Sequence, residues 1–257
     1  MTTGTGLFAS AWRLTGEALG ELVHPWRCAL CAAAPPELRS PFCEPCRAEL
    51  LGLAARNRAM SCPRCALPAG PFANLEGGCS ECRGKPLGFD AAVALGPYEE
   101  PWRGLCLKLK HDRGAWLAPW LGALLVEARG ADLALTAPPP AGAWVAPVPQ
   151  HWLRRLQRGY NQAEALARAV ARPLRLPTRR ALRRVKPTHH LVGLGPRDRA
   201  EAIRGAFVAR RGTSLRGETV LLIDDVLTTG ATLGEAARVL KRAGARRVVA
   251  VVLTRTL

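Results

Sequence analysis

Two groups of side chains in this sequence have the types and the spacing to do chemistry. The first is the run Leu221-Leu222-Ile223-Asp224-Asp225-Val226-Leu227-Thr228-Thr229-Gly230-Ala231-Thr232. Apolar residues run into two acids, then into a Thr/Gly turn, then into a helical pattern. That order sets backbone N–H groups and three hydroxyls at a helix N-terminus, a prepared place for a phosphate dianion. The carboxylates of Asp224 and Asp225 stand one step earlier, at a strand end, where they accept hydrogen bonds from the vicinal hydroxyls of a ribose. Together the two halves make a cradle for a ribose 5-phosphate. The run has no Gly-Lys-Thr of a Walker loop, and its glycines do not follow the dinucleotide-binding spacing.

The second group is the cysteines. Eight of the nine form four Cys-x-x-Cys pairs: Cys28/Cys31, Cys43/Cys46, Cys62/Cys65 and Cys79/Cys82. Two residues between cysteines let both thiolates of a tight turn meet one ion, and two such knuckles complete a tetrahedral site. In a reducing compartment such clusters read as metal sites rather than disulfides. Four cysteines leave no open coordination position, so two structural Zn2+ ions are expected. Sequential pairing, Cys28/31/43/46 and Cys62/65/79/82, is the simplest arrangement; a cross-braced one stays open. The segment is rich in Gly and Pro, so zinc is expected to supply most of its folding free energy. Cys106 stands alone and reads as a small buried apolar residue.

The rest of the chain must position these groups. Residues 7–23 read as a short amphipathic helix. A strand is expected at 89–95, helices at 101–110 and 115–129, a buried strand at 144–148, and a helix at 161–171. A weaker strand near 180–185 precedes a long polar stretch. Strands at 219–223 and 247–253 flank a helix at 231–243. Strands apolar on both faces that alternate with helices predict an α/β fold with a parallel sheet, whose ligands bind beyond the strands' C-terminal ends. The expected organisation is an N-terminal helix (1–24), a double zinc ribbon (25–86) and an α/β domain (87–257). No run is long and apolar enough to span a membrane, and no signal peptide is evident, so a cytoplasmic chain is expected.

The 257 residues carry 37 Lys/Arg against 20 Asp/Glu, a formal charge of +17. Two filled zinc sites would bring this to about +13, still strongly basic. The excess is concentrated: residues 150–216 hold 17 Lys/Arg and three acids. One small anion needs two or three cations, and the surplus suits a phosphate backbone. Trp152 and Tyr160 lie within this stretch as candidate stacking residues for single-stranded nucleic acid.

The 221–232 run resembles the phosphoribosyl pyrophosphate (PRPP) motif of type I phosphoribosyltransferases. Upstream, Val145-Ala146-Pro147-Val148-Pro149 leads into a basic loop ending Arg158-Gly159-Tyr160-Asn161-Gln162. Paired Cys-x-x-Cys knuckles, this segment and the PRPP motif together resemble the ComF family of competence-associated proteins. Lys108-Leu109-Lys110 and Gly114 match that family's lysine segment. The resemblance implies a type I phosphoribosyltransferase-like sheet flanked by helices, with a small N-terminal double zinc ribbon. It implies PRPP, or another ribose phosphate, bound with Mg2+. Asp224 and Asp225 would hold the ribose hydroxyls, and Thr228, Thr229, Gly230, Ala231 and Thr232 the 5′-phosphate. Arg154, Arg158 and Lys110 would meet the pyrophosphate, with Gly159 allowing close backbone approach. Asp224, Asp225 and Arg158 are the residues expected to carry catalysis.

The family link further implies natural transformation, with single-stranded DNA as partner beside a competence helicase. A phosphoribosyltransferase acting on an unknown small acceptor, and a non-catalytic nucleic-acid adaptor, are the alternative readings. The chain departs from the family's Thr-x-x-Gln and Arg-x-x-Asn patterns. Thr188 is followed by Leu191 three positions on, and Arg199 by Ala202. That difference bears on turnover more than on binding.

Overall fold

In a computed structural model, the described residues are 27–33, 40–111, 114–136, 142–150, 159–187 and 195–257. The expected helix at 7–23, Trp152, Arg154, Arg158, Thr188 and Leu191 lie outside them. The chain divides into two compact units, Met1–Leu50 and Leu51–Leu257. The first cysteine cluster is in the smaller unit. The second is in the larger one, together with the sheet.

Four strands form the main sheet: β1 (Ala91–Pro97), β2 (Ala143–Pro147), β5 (Thr219–Leu227) and β6 (Arg247–Arg255). Their order is β1-β6-β5-β2, and every pairing is parallel. The runs of Val, Leu and Ile explain this, because a parallel sheet is covered on both faces. Val220 and Leu222 pack with Leu233, Ala236 and Leu240 of helix α6 (Ala231–Arg242). Leu221 and Ile223, equally buried, point to the opposite face by the two-residue period of a strand. There α4 (Gln162–Leu174) lies on β2 and β5, and α3 (Ala118–Thr136) on β1. Helix α2 (Trp102–Lys110) joins β1 to α3 through a 3-10 turn at Gly114–Leu117.

Three elements went beyond the sequence expectation. Helix α1 (Glu44–Met60) sits inside the segment read as ribbon. The polar stretch after residue 185 contains α5 (Pro196–Ile203). The weak strand is β3 (Leu182–Arg184), paired antiparallel with β4 (Phe207–Ala209) in a second, two-stranded sheet. Phe207 and Leu182 join the core beneath α6. Among the described residues no helix is long and apolar enough to cross a membrane.

Candidate functional site

The C-terminal ends of the parallel strands gather the chemistry, where open α/β sheets bind ligands. Strand β5 carries Asp224 and Asp225 in register with β6, Asp224 opposite Val252. The chain then turns through Thr228 and Thr229 to Gly230, which caps α6 at φ 82°. A left-handed φ suits glycine, and its missing side chain leaves the helix N-terminus uncapped. The first helical bond runs from the Gly234 N–H to the Gly230 carbonyl at 2.7 Å. The Ala231 N–H donates to the Thr229 hydroxyl at 3.4 Å. Amides and hydroxyls thus meet at the positive end of a helix dipole, the expected phosphate-binding arrangement. Thr228, Thr229, Gly230, Ala231 and Thr232 all lie on this bend or in the first helical turn.

The two acids are not equivalent. The Asp225 N–H donates to Asp224 Oδ1 at 2.9 Å. Burial, then the Asp225 charge, push the Asp224 carboxyl up to about 8, with Lys110 and Arg184 offsetting only part. Lys110 stands at the C-terminal end of α2 with its Nζ 3.2 Å from Asp225 Oδ2. Burial disfavours its ammonium, but the Asp225 charge and hydrogen bond outweigh that and hold its pKa above the ordinary lysine value. So Lys110, which the sequence resemblance assigned to the pyrophosphate, is paired with Asp225, from an element more than a hundred residues away.

The Gly159-Tyr160-Asn161-Gln162 segment closes the basic loop. Gly159 is exposed at φ 69°. The Tyr160 hydroxyl donates to the carbonyls of Leu109 and His111, on either side of Lys110. Tyr160 is therefore half-buried and anchored rather than presented for stacking. Asn161 caps α4 by accepting from the Ala163 N–H and donates its amide to the Val148 carbonyl at 3.3 Å. Gln162 pairs with Gln150 across the base of the loop. Tyr160, Asn161 and Gln162 thus tie the end of the loop to α2, to the chain just after β2 and to Gln150.

The cysteines form two clusters, Cys28/Cys31/Cys43/Cys46 and Cys62/Cys65/Cys79/Cys82, with each cluster's sulfurs within 4.8 Å of one another. The pairing is sequential, not cross-braced. Four thiolates about 2.3 Å from a tetrahedral ion stand roughly 3.8 Å apart. The observed separations are 3.6 Å for Cys31–Cys43, 3.7 Å for Cys62–Cys82, 3.5 Å for Cys65–Cys79 and 3.8 Å for Cys79–Cys82. The donor set therefore fits zinc at both places. Burial opposes the Cys62 thiolate, but N–H donors from Arg64, Cys65 and Cys79 outweigh it and bring the pKa to about 7. The same opposition brings Cys28 to about 6. Cys106 is fully buried, and burial raises its thiol to about 12, as an inert core residue requires.

Arg255 escaped the sequence reading. At the end of β6 its guanidinium donates to the carbonyls of Leu227 and Thr228 on one side and of Cys65 on the other. It joins the second cysteine cluster to the bend that begins the helix. No local pattern marks such a residue, because the carbonyls it links lie 27 to 190 positions away.

Comparison with known proteins agrees with this geometry. The family model for the phosphoribosyl transferase domain matches residues 158–256. Competence protein F of Haemophilus influenzae is 32% identical over 173 residues, covering 66% of this chain and 75% of the relative. DNA utilization protein YhgH of Salmonella typhi is 33% identical over 207 residues, 79% of this chain and 88% of the relative. A 32-residue stretch, 12% of this chain, is 69% identical to adenine phosphoribosyltransferase of Mycobacterium marinum and covers 17% of that enzyme. With its sheet, its cysteine clusters and its relatives taken together, the chain belongs to the ComF family and carries a phosphoribosyltransferase domain.

Proposed function

We propose that this chain binds PRPP or a closely related ribose phosphate, together with Mg2+, and serves DNA uptake and utilisation through single-stranded DNA binding. The observation that carries the reading is the meeting of Asp224, Asp225, Lys110 and the uncapped start of α6 at one strand end. Asp224 and Asp225 hold the ribose hydroxyls. The amides and hydroxyls of Thr228–Thr232 hold the 5′-phosphate. Lys110, whose ammonium has three donors, leaves Asp225 partly or wholly to meet the pyrophosphate. Arg154 and Arg158, outside the described residues, are the sequence's candidates for further cations on that pyrophosphate.

Mg2+ prefers carboxylates combined with substrate phosphates, and adjacent aspartates at the strand end fit that preference. When bound, the ion supplies neutralisation of the pyrophosphate charge. The protein's own part is to orient the ribose and to fix both phosphate ends, so that the C1–O bond lies between them. The process is taken from the relatives, whose names record competence and DNA utilisation. The DNA surface is taken from the arginine-rich stretch. Glu164 pairs with both Arg168 and Arg180, and Glu218 with Arg179. Arg172, Arg175, Arg183, Arg210 and Arg211 remain exposed around them.

Two titrations test this. Single-stranded DNA should bind with an affinity that falls steeply with salt, by about 0.7 log units per tenfold salt for each phosphate neutralised. Weak binding with a flat response favours an enzyme acting on a small acceptor. In calorimetry, PRPP with Mg2+ should give binding heat that Asp224→Ala removes. No heat with the wild-type protein removes the ribose phosphate site and leaves a nucleic-acid adaptor.

A further inference from the structure

A cleft of about 1080 Å³ lies within the larger unit, between the second cysteine cluster and the bend at Thr228–Thr229. It is large for a small-molecule site, which typically spans 300–1,000 Å³. It shares Thr228 and Thr229 with the 5′-phosphate end of the ribose site but does not include Asp224, Asp225 or Lys110, so most of it extends beyond that site. One wall is aliphatic, from Leu67, Pro68 and Leu87; the other presents Thr228 and Thr229.

Charge decides what the cleft suits. Four cations border it, Arg83, Lys85, Arg199 and Arg255, against Glu81 and the net double negative charge of a zinc-filled Cys62/65/79/82 cluster, which leaves a small positive surplus. Arg255 and Arg83 are spent on carbonyls, Arg255 on Cys65 and the bend, Arg83 on Gly78 and Asn74. They supply field and wall. Lys85 is exposed and only loosely paired with Glu81, at 3.7 Å. Arg199, on α5, has a buried Nε with no hydrogen-bond partner among the described residues. That Nε is closed to the cleft, so it is the guanidinium as a whole, a fork of N–H donors suited to phosphate, that Arg199 brings to the cleft's border. An anion beside an aliphatic slot is the chemistry of a nucleotide: phosphate on the cations, base against Leu67, Pro68 and Leu87.

We propose that this cleft binds one nucleotide unit, its phosphate held by Arg199 and Lys85 and its base seated on the second cysteine knuckle. The unit can be a free nucleotide or the phosphorylated end of a single strand, since both offer the same groups. The site stands beside the ribose phosphate cradle and does not require it, so the knuckle is a wall of a binding site as well as a structural clip.

The probe is dAMP, which lacks the vicinal diol that the twin acids would grip. Binding is followed by calorimetry and by amide exchange on the zinc-loaded full chain. Wild-type protein should bind dAMP and protect amides at 65–87 and 255–257. Lys85→Glu and Arg199→Ala should each weaken binding about tenfold or more, the effect of losing a hydrogen bond to a charged group. Asp224→Ala should leave it unchanged. Lys85 is exposed, so that variant guards against misfolding, and zinc content checks both. A 5′-phosphorylated oligonucleotide competing more strongly than dAMP identifies the strand end as the ligand; equal competition identifies the free nucleotide.

The proposal is overturned if wild-type protein does not bind dAMP at millimolar concentration. It is also overturned if Lys85→Glu and Arg199→Ala leave dAMP binding unchanged, whatever Asp224→Ala does. Failure of the ribose phosphate reading shows separately, as absent PRPP heat with dAMP binding intact.

Discussion

The two cysteine clusters are built from the same parts and set in different surroundings. In the first, the Cys28 N–H donates to Ala33 and the Ala32 N–H to Cys28; in the second, Cys62 donates to Leu67 and Ala66 to Cys62. Both turns put an alanine in the left-handed region, Ala32 at φ 60° and Ala66 at φ 59°. Their partner knuckles match too, with Arg47 donating to Cys43 and Arg83 to Cys79, each at 2.9 Å. Beyond this the two diverge. The first cluster has Leu30 as its packed apolar neighbour and leaves Cys31 exposed. The second is wholly buried, packs on Leu67, Ala69, Leu75 and Leu87, and sends Ala66 into the main core. The same set of cysteines serves a small unit in one place and, through Arg255, buttresses the bend at Thr228 in the other.

The largest effect expected from this contrast is on metal loss. Structural zinc contributes about 10–16 kcal/mol to folding in isolated fingers. Cys65→Ser should remove one zinc and lower the melting temperature of the larger unit sharply. Cys28→Ser should also remove one zinc but leave that melting transition in place. Metal analysis beside calorimetric melting reads both; equal loss of the main transition in the two variants erases the distinction.

Next is Gly234, whose added Cβ would stand 2.3 Å from the Leu87 carbonyl oxygen. Helix α6 and the chain leaving the second knuckle meet there without room for a methyl. Gly234→Ala should cost about 1–3 kcal/mol, as overpacking does, measured by denaturant unfolding. An unchanged midpoint shows that the knuckle's exit can shift freely.

The turn alanines give the smallest effect. A left-handed L-residue costs about 1–2 kcal/mol. Ala32 is exposed, so Ala32→Gly should tighten zinc retention at the first cluster. The Ala66 methyl is 2% exposed in the core, so Ala66→Gly forfeits packing that offsets the gain. Competition with a chelator separates the two; identical responses show that surroundings do not matter.

The lesson extends to what the sequence could reveal. The Cys-x-x-Cys spacing, the 221–232 run and the Val/Ile/Leu strands were legible because each is a local pattern. Lys110 was legible only through a family resemblance, since its ion pair with Asp225 spans 115 positions. Arg255, Arg199 and the anchoring of Tyr160 were not legible. Their partners are backbone carbonyls or cavity walls that exist only after folding. Helix α1 was hidden because the Cys43/Cys46 pair at its start and its mixed polarity read as ribbon. Strand β4, three residues long, is too short to show a period, and β3, equally short, showed only as the weak strand near 180–185.

The twin acids make a pH prediction of their own. Asp224 titrates near 8 when folded and at about 3.9 when unfolded. Between these values the folded ligand-free protein holds a proton that the unfolded chain has released. Its stability should therefore fall as pH rises from about 4 to about 8. Asp224→Asn should reduce that slope, followed by denaturant midpoints across the window; an unchanged slope assigns it to other groups.

The central claim is that the bend after Asp224-Asp225 grips the phosphate of a sugar. A crystal soaked with PRPP and Mg2+ tests it most directly. The account predicts phosphate density against the amides of Gly230–Thr232, with the ribose hydroxyls on Asp224 and Asp225 and Lys110 turned toward the pyrophosphate. An empty bend with Lys110 still closed on Asp225, or PRPP seated elsewhere, contradicts it.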